Sequence, residues 1–182
     1  MISGRLVQLR RYPVKSLLGE RIPTAEIGVT GVAGDRALAL LDRASGRVAS
    51  AKQPHRWRDL LALRATGGAP DPVRITLPDG RHLSVVDPDI DVALSAAVGH
   101  PVTLVDAVPA GATLLRSHPE AVLAVPTLAH GPLPPETEAL RVPARLNRVE
   151  PLPGMGAQPC VGAYATVVRA GRVADGDRVT VG

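Results

Sequence analysis

Residues 73–99 read VRITLPDGRHLSVVDPDIDVALSAAVG, and this stretch decides the fold class. Val73, Ile75 and Leu77 alternate on one face. Pro78-Asp79-Gly80 supplies a turn and 82–86 returns the chain, so the segment predicts a β-hairpin. The period then changes. Ile90, Leu94, Ala97 and Val98 share one face at helical spacing, which predicts a short helix over 88–98. Asp87 fits its N-cap, Pro88 its first position and Gly99 a left-handed stop. The run PVTLVDA from Pro101 then reads as a strand.

Toward the N-terminus the same β character continues. Short β-compatible runs occupy 5–11, 36–42, 47–51 and 60–65, with Ser45-Gly46 as a turn before the third. Toward the C-terminus the pattern breaks. Pro109, Pro119, Pro126, Pro132, Pro134, Pro135 and Pro143 exclude any long element, leaving a linker or meandering loop with a short helix around 120–124. A loop that long in a compact domain is uncommon and is often functional. Order returns with a strand over 163–169, a Gly/Asp-rich turn and a last strand over 178–181. There is no internal repeat. The chain divides into 1–108, a Pro-rich linker 109–142, and 143–182. The fold class is mainly β.

Composition bounds the function. The 182 residues are 45% hydrophobic and 21% charged, ordinary for a globular protein large enough to bury a core. There is no Phe, and Trp57, Tyr12 and Tyr164 are the only aromatics, so the core is aliphatic. A base-stacking platform for nucleic acid is not expected. The net charge of +4 comes from basic residues spread along the chain, without a polybasic block. A mild positive field suits an anionic small ligand. Cys160 is the only cysteine, which excludes an intrachain disulfide. No apolar run approaches the roughly 20 residues of a membrane span, and MISGRLVQLRR lacks a signal-peptide core. A cytoplasmic protein without nucleic-acid or membrane partners is expected.

Three segments concentrate chemistry. RRYPVKSLLGE (10–20) carries Lys15 and Ser16, whose ammonium and hydroxyl can both donate to a phosphate. Taken alone, the dipeptide reads equally as a solvated turn. GVTGVAGDR (28–36) is a glycine-rich loop before a strand, not a dinucleotide fingerprint, because a helix would have to follow. In it Asp35 and Arg36 form a local ion pair, or Arg36 points to the pocket of Lys15. SAKQPHRW (50–57) gathers Lys52, Gln53, His55 and Arg56 near Trp57; its plain reading is a solvated strand end with Trp57 plugging the core. His55, His82, His100, His118 and His130 lack metal-ligand spacing, so no zinc site is expected. Glu136 and Glu138 read as solvated, and Cys160 as a small buried hydrophobe.

Together, YPVKSLLGE, GVAGDRALALLD and GRVASAKQPHRWRDLL resemble the N-terminal β-barrel of MOSC-domain proteins, the group that includes the mitochondrial amidoxime-reducing component and bacterial relatives. GHPVTLVDAVPAGATLLRSHPEAV is similar to the segment closing that barrel, and CVGAYATVVRAGRVADGDRVTVG to the family's terminal strands. The resemblance implies a MOSC N-terminal-like barrel over 1–108 with one helix near 88–98. It also implies a shortened MOSC-like C-terminal remnant over 143–182. Family members bind a molybdenum-pterin cofactor, and several reduce N-hydroxylated substrates. By position the resemblance assigns Lys15, Ser16 and Arg36 to the cofactor, and Lys52 is a further cofactor-binding candidate. PARLNRV is faintly similar to an Arg-Pro-Asn segment and maps Arg145 and Asn147. The Arg-Cys pair whose thiolate ligates molybdenum in relatives is absent, and Cys160 matches a cysteine that is not that ligand. No metal ligand is therefore assigned.

Three functions follow. The first is a molybdenum-pterin protein, an oxidoreductase of N-hydroxylated or sulfur-containing substrates. The second is a cofactor-free barrel repurposed for biosynthesis as a cyclase, isomerase or lyase, with Lys15, Tyr164 or a histidine as acid or base and Cys160 as a further catalytic candidate. The third is a non-catalytic binding module. The expected partner is a small-molecule substrate or an anionic ligand. A shortened second half would leave surface uncovered, which suggests a homodimer.

Overall fold

The computed structural model describes residues 2–107, 141, 145, 148–150, 154, 156–159 and 167–181. The strands are β1 (Ile2–Arg5), β2 (Leu9–Arg11), β3 (Glu20–Ile22), β4 (Thr24–Gly28), β5 (Gly31–Val32), β6 (Leu38–Asp42), β7 (Arg47–Val48), β8 (Arg64–Thr66), β9 (Arg74–Thr76), β10 (His82–Ser84), β11 (Val102–Asp106), β12 (Arg148–Val149), β13 (Gln158–Pro159), β14 (Gly171–Ala174) and β15 (Arg178–Val181). The helices with both ends among the described residues are α1 (Pro54–Trp57) and α2 (Ile90–Val98), with a 3-10 turn at Leu60–Ala62; Arg141 and Arg145 are also helical. The protein is mainly β with few helices. Its strands pair antiparallel in small sheets, ordered β1-β15, β2-β3, β14-β4-β5, β11-β6-β7, β10-β9-β8 and β12-β13. None of these closes into the expected barrel among the described residues. The strands are two to five residues long and turns interrupt each ladder before it can continue into the next.

The hairpin that set the fold class is present. Ile75 pairs with Leu83 and Thr76 with His82. The connection is closed by Leu77 N–H donating to Arg81 O at 2.9 Å, with Gly80 at φ 86°, a conformation that favours glycine. The helix starts two residues later than expected. Asp89, not Asp87, is the N-cap, because the Asp87 carboxylate accepts from Ser84 N–H at 2.8 Å and belongs to the preceding turn. Gly99 stops the helix at φ 70°. Ile90, Leu94 and Val98 are its buried face, packed with Val14, Leu17, Leu40, Trp57, Leu60, Leu63, Ile75 and Val102. This aliphatic cluster is the core, and it lies directly beneath the 12–19 loop.

Several expected elements are corrected. The run 5–11 is two strands, because the chain changes partner: Leu6 exchanges backbone bonds with Asp177 and Gly176, and then Leu9 N–H turns to the Asp175 carboxylate. The run 60–65 begins as a 3-10 turn that buries Leu60 and Leu63 three apart, before β8. Residues 54–57 form a helical turn, not a strand end, although Trp57 does plug the core at 2% exposure. Gly28 and Gly31 close a β4–β5 hairpin rather than a plain loop. At the C-terminus, 167–169 is not strand, while 171–174, read as turn, is β14, paired to β4 from Ile27↔Gly171 to Thr24↔Ala174. The final strand falls where expected, and β15 pairs with β1. The Pro-rich stretch and 163–166 lie outside the described residues.

Candidate functional site: a cationic crest on an anchored loop

The loop joining β2 to β3 runs from Tyr12 to Gly19 and is not a free surface turn. On one side it bonds to the start of β6: Leu38 N–H donates to Pro13 O at 3.0 Å, and Lys15 N–H donates to Leu38 O at 2.8 Å. On the other side it bonds to the start of β8: Leu18 N–H donates to Leu63 O at 2.9 Å, and Ala65 N–H to Leu18 O at 2.8 Å. The sequence supplies what this needs. Pro13, Val14 and Leu17 are apolar and buried, so the loop carries its own plug into the core. Gly19 is buried where a Cβ would overlap the Arg11 carbonyl oxygen and lie 2.7 Å from Tyr12 Cδ1, so only glycine fits. Below, Arg11 pairs with Glu20 at 2.7 Å, and Gly67 N–H donates to the same carboxylate.

With its apolar residues turned inward, the loop lifts Lys15 and Ser16 to a half-buried crest. Arg36 arrives from the β5–β6 turn, which is tied to the loop at two points. Arg36 N–H donates to Tyr12 O and Tyr12 N–H donates to Asp35 Oδ1, each at 2.7 Å. Ser16 (φ 67°) and Arg36 (φ 52°) are the two non-glycine residues with positive φ among the described residues. Each carries a backbone cost of about 1–2 kcal/mol. The two strained positions therefore coincide with two of the expected site residues, and strain of this kind collects where a site over-determines the backbone.

Burial holds the Lys15 ammonium below its usual pKa, and the positive charges of Lys52 and then Arg36 lower it further. Like charges brought this close are costly without a counter-ion. Lys15 and Lys52 make no salt bridge among the described residues, and Arg36 has only a loose 3.7 Å contact with Asp35, whose other oxygen is engaged by Tyr12. Of the two readings left open for Arg36, the Asp35 contact is present, and the Arg36 charge also acts on Lys15. Of the other expected residues, Arg145 is exposed, and no contact places it at the crest. Asn147, Cys160 and Tyr164 lie outside the described residues. No group of three metal-ligating side chains occurs among the described residues, and no described helix is long and apolar enough to cross a membrane.

Sequence reading missed a second charged cluster. Asp42, at the end of β6, is 1% exposed. Its carboxylate accepts from Ser45 Oγ at 2.6 Å, Arg56 Nη2 at 2.7 Å and Ala44 N–H at 3.1 Å. The Ser45 hydroxyl bond lowers its pKa most; burial opposes this, and Ala44 and Arg56 lower it further. Arg56 also lies over Trp57, 5.3 Å from the ring centroid. An open cleft of about 380 Å³ borders the pair, lined by Ser45, Arg47, Gln53 and Arg56 among others. The signal was present in DRASG: an Asp with Ser three residues on, before a glycine, is a side-chain-closed turn.

This is a small mainly-β protein whose most heavily built feature is a backbone-anchored, cation-bearing loop. Residues 3–97, rather more than half of the chain, match the MOSC N-terminal beta barrel domain. The chain belongs to that family. No curated protein matches the chain at a significant level.

Proposed function

We propose that the crest of the 12–19 loop, with Arg36 and Lys52, binds an anionic group on a small molecule, and that this group is the phosphate of a pterin-type molybdenum cofactor. The reading is carried by a half-buried Lys15 on the anchored loop, on which the charges of Lys52 and Arg36 bear, with the Arg36–Asp35 contact at 3.7 Å as the one salt bridge these three cations make among the described residues. Such a set gains most from a dianion, which relieves their mutual repulsion and accepts charge-assisted hydrogen bonds. Family membership is consistent with a molybdenum-cofactor-related protein.

The donor set fits the anionic end of that cofactor. Lys15 and Arg36 would hold the phosphate as cations, Ser16 would add a hydroxyl donor, and Lys52 would close the exposed side. The cofactor itself would supply the redox centre for reducing N-hydroxylated or sulfur-containing substrates. The described residues include no thiolate for the metal, so the reading extends to the organic part of the cofactor and not to its metal ligands.

A second reading rests on Lys15 itself. A lowered pKa raises the share of Lys15 present as the neutral amine, the form that can act as a general base, which favours a cofactor-free isomerase, cyclase or lyase acting on an anionic substrate. Elemental analysis of protein expressed with ample molybdate, beside mass spectrometry of co-purified small molecules, separates the two. Molybdenum and a pterin released together support the first reading. A metal-free protein carrying a different organic anion supports the second. Lys15→Ala and Arg36→Ala leaving inorganic phosphate affinity unchanged would sink both.

A further inference from the structure

The Asp42–Arg56 pair stands outside the cationic crest, yet it connects the two elements that deliver two of its members. Asp42 closes β6. The other end of β6 is Leu38, which exchanges backbone bonds with Pro13 and Lys15. Arg56 lies on α1, four residues after Lys52. The segment between is a chain of short bonds. Ala49 N–H donates to Leu40 O at 2.7 Å, Lys52 N–H to Ser50 Oγ at 3.3 Å, and Gln53 N–H to Ser50 O at 2.9 Å. Arg56 and Trp57 N–H then donate to Gln53 O. Any rotation of α1 about the buried Trp57 therefore moves Lys52.

Lys52 needs such a restraint. It is exposed, carries no salt bridge among the described residues, and its positive charge bears on the half-buried Lys15. Meanwhile the Asp42 carboxylate is the least exposed in any ion pair of the described residues, at 2% against 18% for Glu20 in the next. A carboxylate so covered keeps its charge only because three donors meet it, and one of those is Arg56. It is also the ion pair that ties α1 to β6.

We propose that Asp42 is a positioning residue for Lys52: through Arg56 it fixes α1 against β6 and so holds Lys52 beside Lys15. The inference rests on the reading of the crest as an anion site. Asp42 touches no ligand in this account. Its neutralisation frees Arg56 to solvent and lets the 50–53 segment relax until Lys52 moves away from the other cations.

The test is a double-mutant cycle read with inorganic phosphate as the probe, by calorimetric titration of the full chain. Urea midpoints are measured in parallel on the wild type, Lys52→Ala, Asp42→Asn and the double variant. Both single variants are expected to weaken phosphate binding by similar factors, on the order of threefold each, the scale of one exposed charge. The double variant should bind no more weakly than Lys52→Ala, while the stability loss of Asp42→Asn persists in full. Leu94→Ala, which loosens the shared core without touching the Asp42–Arg56 pair, should weaken phosphate binding by the same factor in the Lys52→Ala background as in the wild type, and so separates general loosening from positioning of Lys52. Arg56→Ala breaks the same pair from its exposed side and substitutes if Asp42→Asn does not fold. Multiplicative losses in the double variant, or an Asp42→Asn affinity equal to wild type, overturn the positioning role while the anion site stands. Absence of phosphate binding by the wild type overturns the anion site itself, and the inference with it.

Discussion

Ser16 offers a test in which the sign of the effect matters more than its size. Its φ of 67° lies in the left-handed region, where a Cβ crowds the following carbonyl at a cost of about 1–2 kcal/mol. Glycine escapes that cost but gives the unfolded chain more freedom, which destabilises by about 0.4–1 kcal/mol. At an ordinary position Gly is therefore less stable than Ala; at residue 16 the balance reverses. Ser16→Gly should exceed Ser16→Ala by about 0.5–1 kcal/mol. With a urea slope near 2 kcal/mol/M, the midpoint difference is on the order of 0.25–0.5 M. Urea unfolding of the two variants followed by Trp57 fluorescence reads it directly, since that Trp is buried in the core. Both variants lose the hydroxyl, so both should bind phosphate more weakly than wild type. The glycine variant would then be the more stable of two weakened binders. If Ser16→Ala proves the more stable, the left-handed crest is not how this loop is built, and the argument from strain to site falls.

The remaining expectations concern the supports of the loop. Gly19→Ala pushes a Cβ into the Arg11 carbonyl, and overpacking of this kind costs about 1–3 kcal/mol; a lowered urea midpoint with weakened phosphate binding is expected. Lys15→Met should raise stability at pH 7. The Lys15 pKa is lowered in the folded state, so its charged form is disfavoured there, and the native protein gains relative stability as pH rises through the folded pKa toward the unfolded value near 10.4. The advantage of Lys15→Met should therefore vanish in denaturation curves above that pH. Asp42 behaves in the opposite sense. Its folded pKa is depressed, so its stabilisation is complete above the unfolded value near 3.9 and is lost as pH falls through the folded one. The deficit of Asp42→Asn, measured by thermal unfolding, should be full at pH 7 and disappear in strong acid.

Legibility in the sequence followed the range of the forces involved. The hairpin over 74–84, α2 and its Gly99 stop, β6 and β11 could be read because turn chemistry and hydrophobic period are local. α1 is a single turn, too short to show a period, and the LLAL run at 60–63 fits a strand or a helical turn equally well. β14 sits among Gly and Asp and is a strand only because β4 is there to pair with it, 144 residues away at Ile27↔Gly171. At the site, residue types and the family resemblance pointed to Lys15, Ser16, Arg36 and Lys52, but nothing in their order shows that the charges of Lys52 and Arg36 bear on Lys15. The left-handed backbone at Ser16 and Arg36 was equally hidden, since neither type favours it. Asp42 and Arg56 were passed over because fourteen positions separate them.

The pairing of β1 with β15 and of β4 with β14 also bears on how the chain is made. Residues 2–5 and 24–28 leave the ribosome about 140 residues or more before the strands that complete their sheets. At roughly 5–20 residues per second, that is a delay on the order of ten seconds. During it β1 and one edge of β4, with the exposed Val7 and Val29 nearby, wait for the partners they have in the folded protein. Slowing translation between 107 and 171 should therefore lengthen the time that these edges stay open to pairing with another chain.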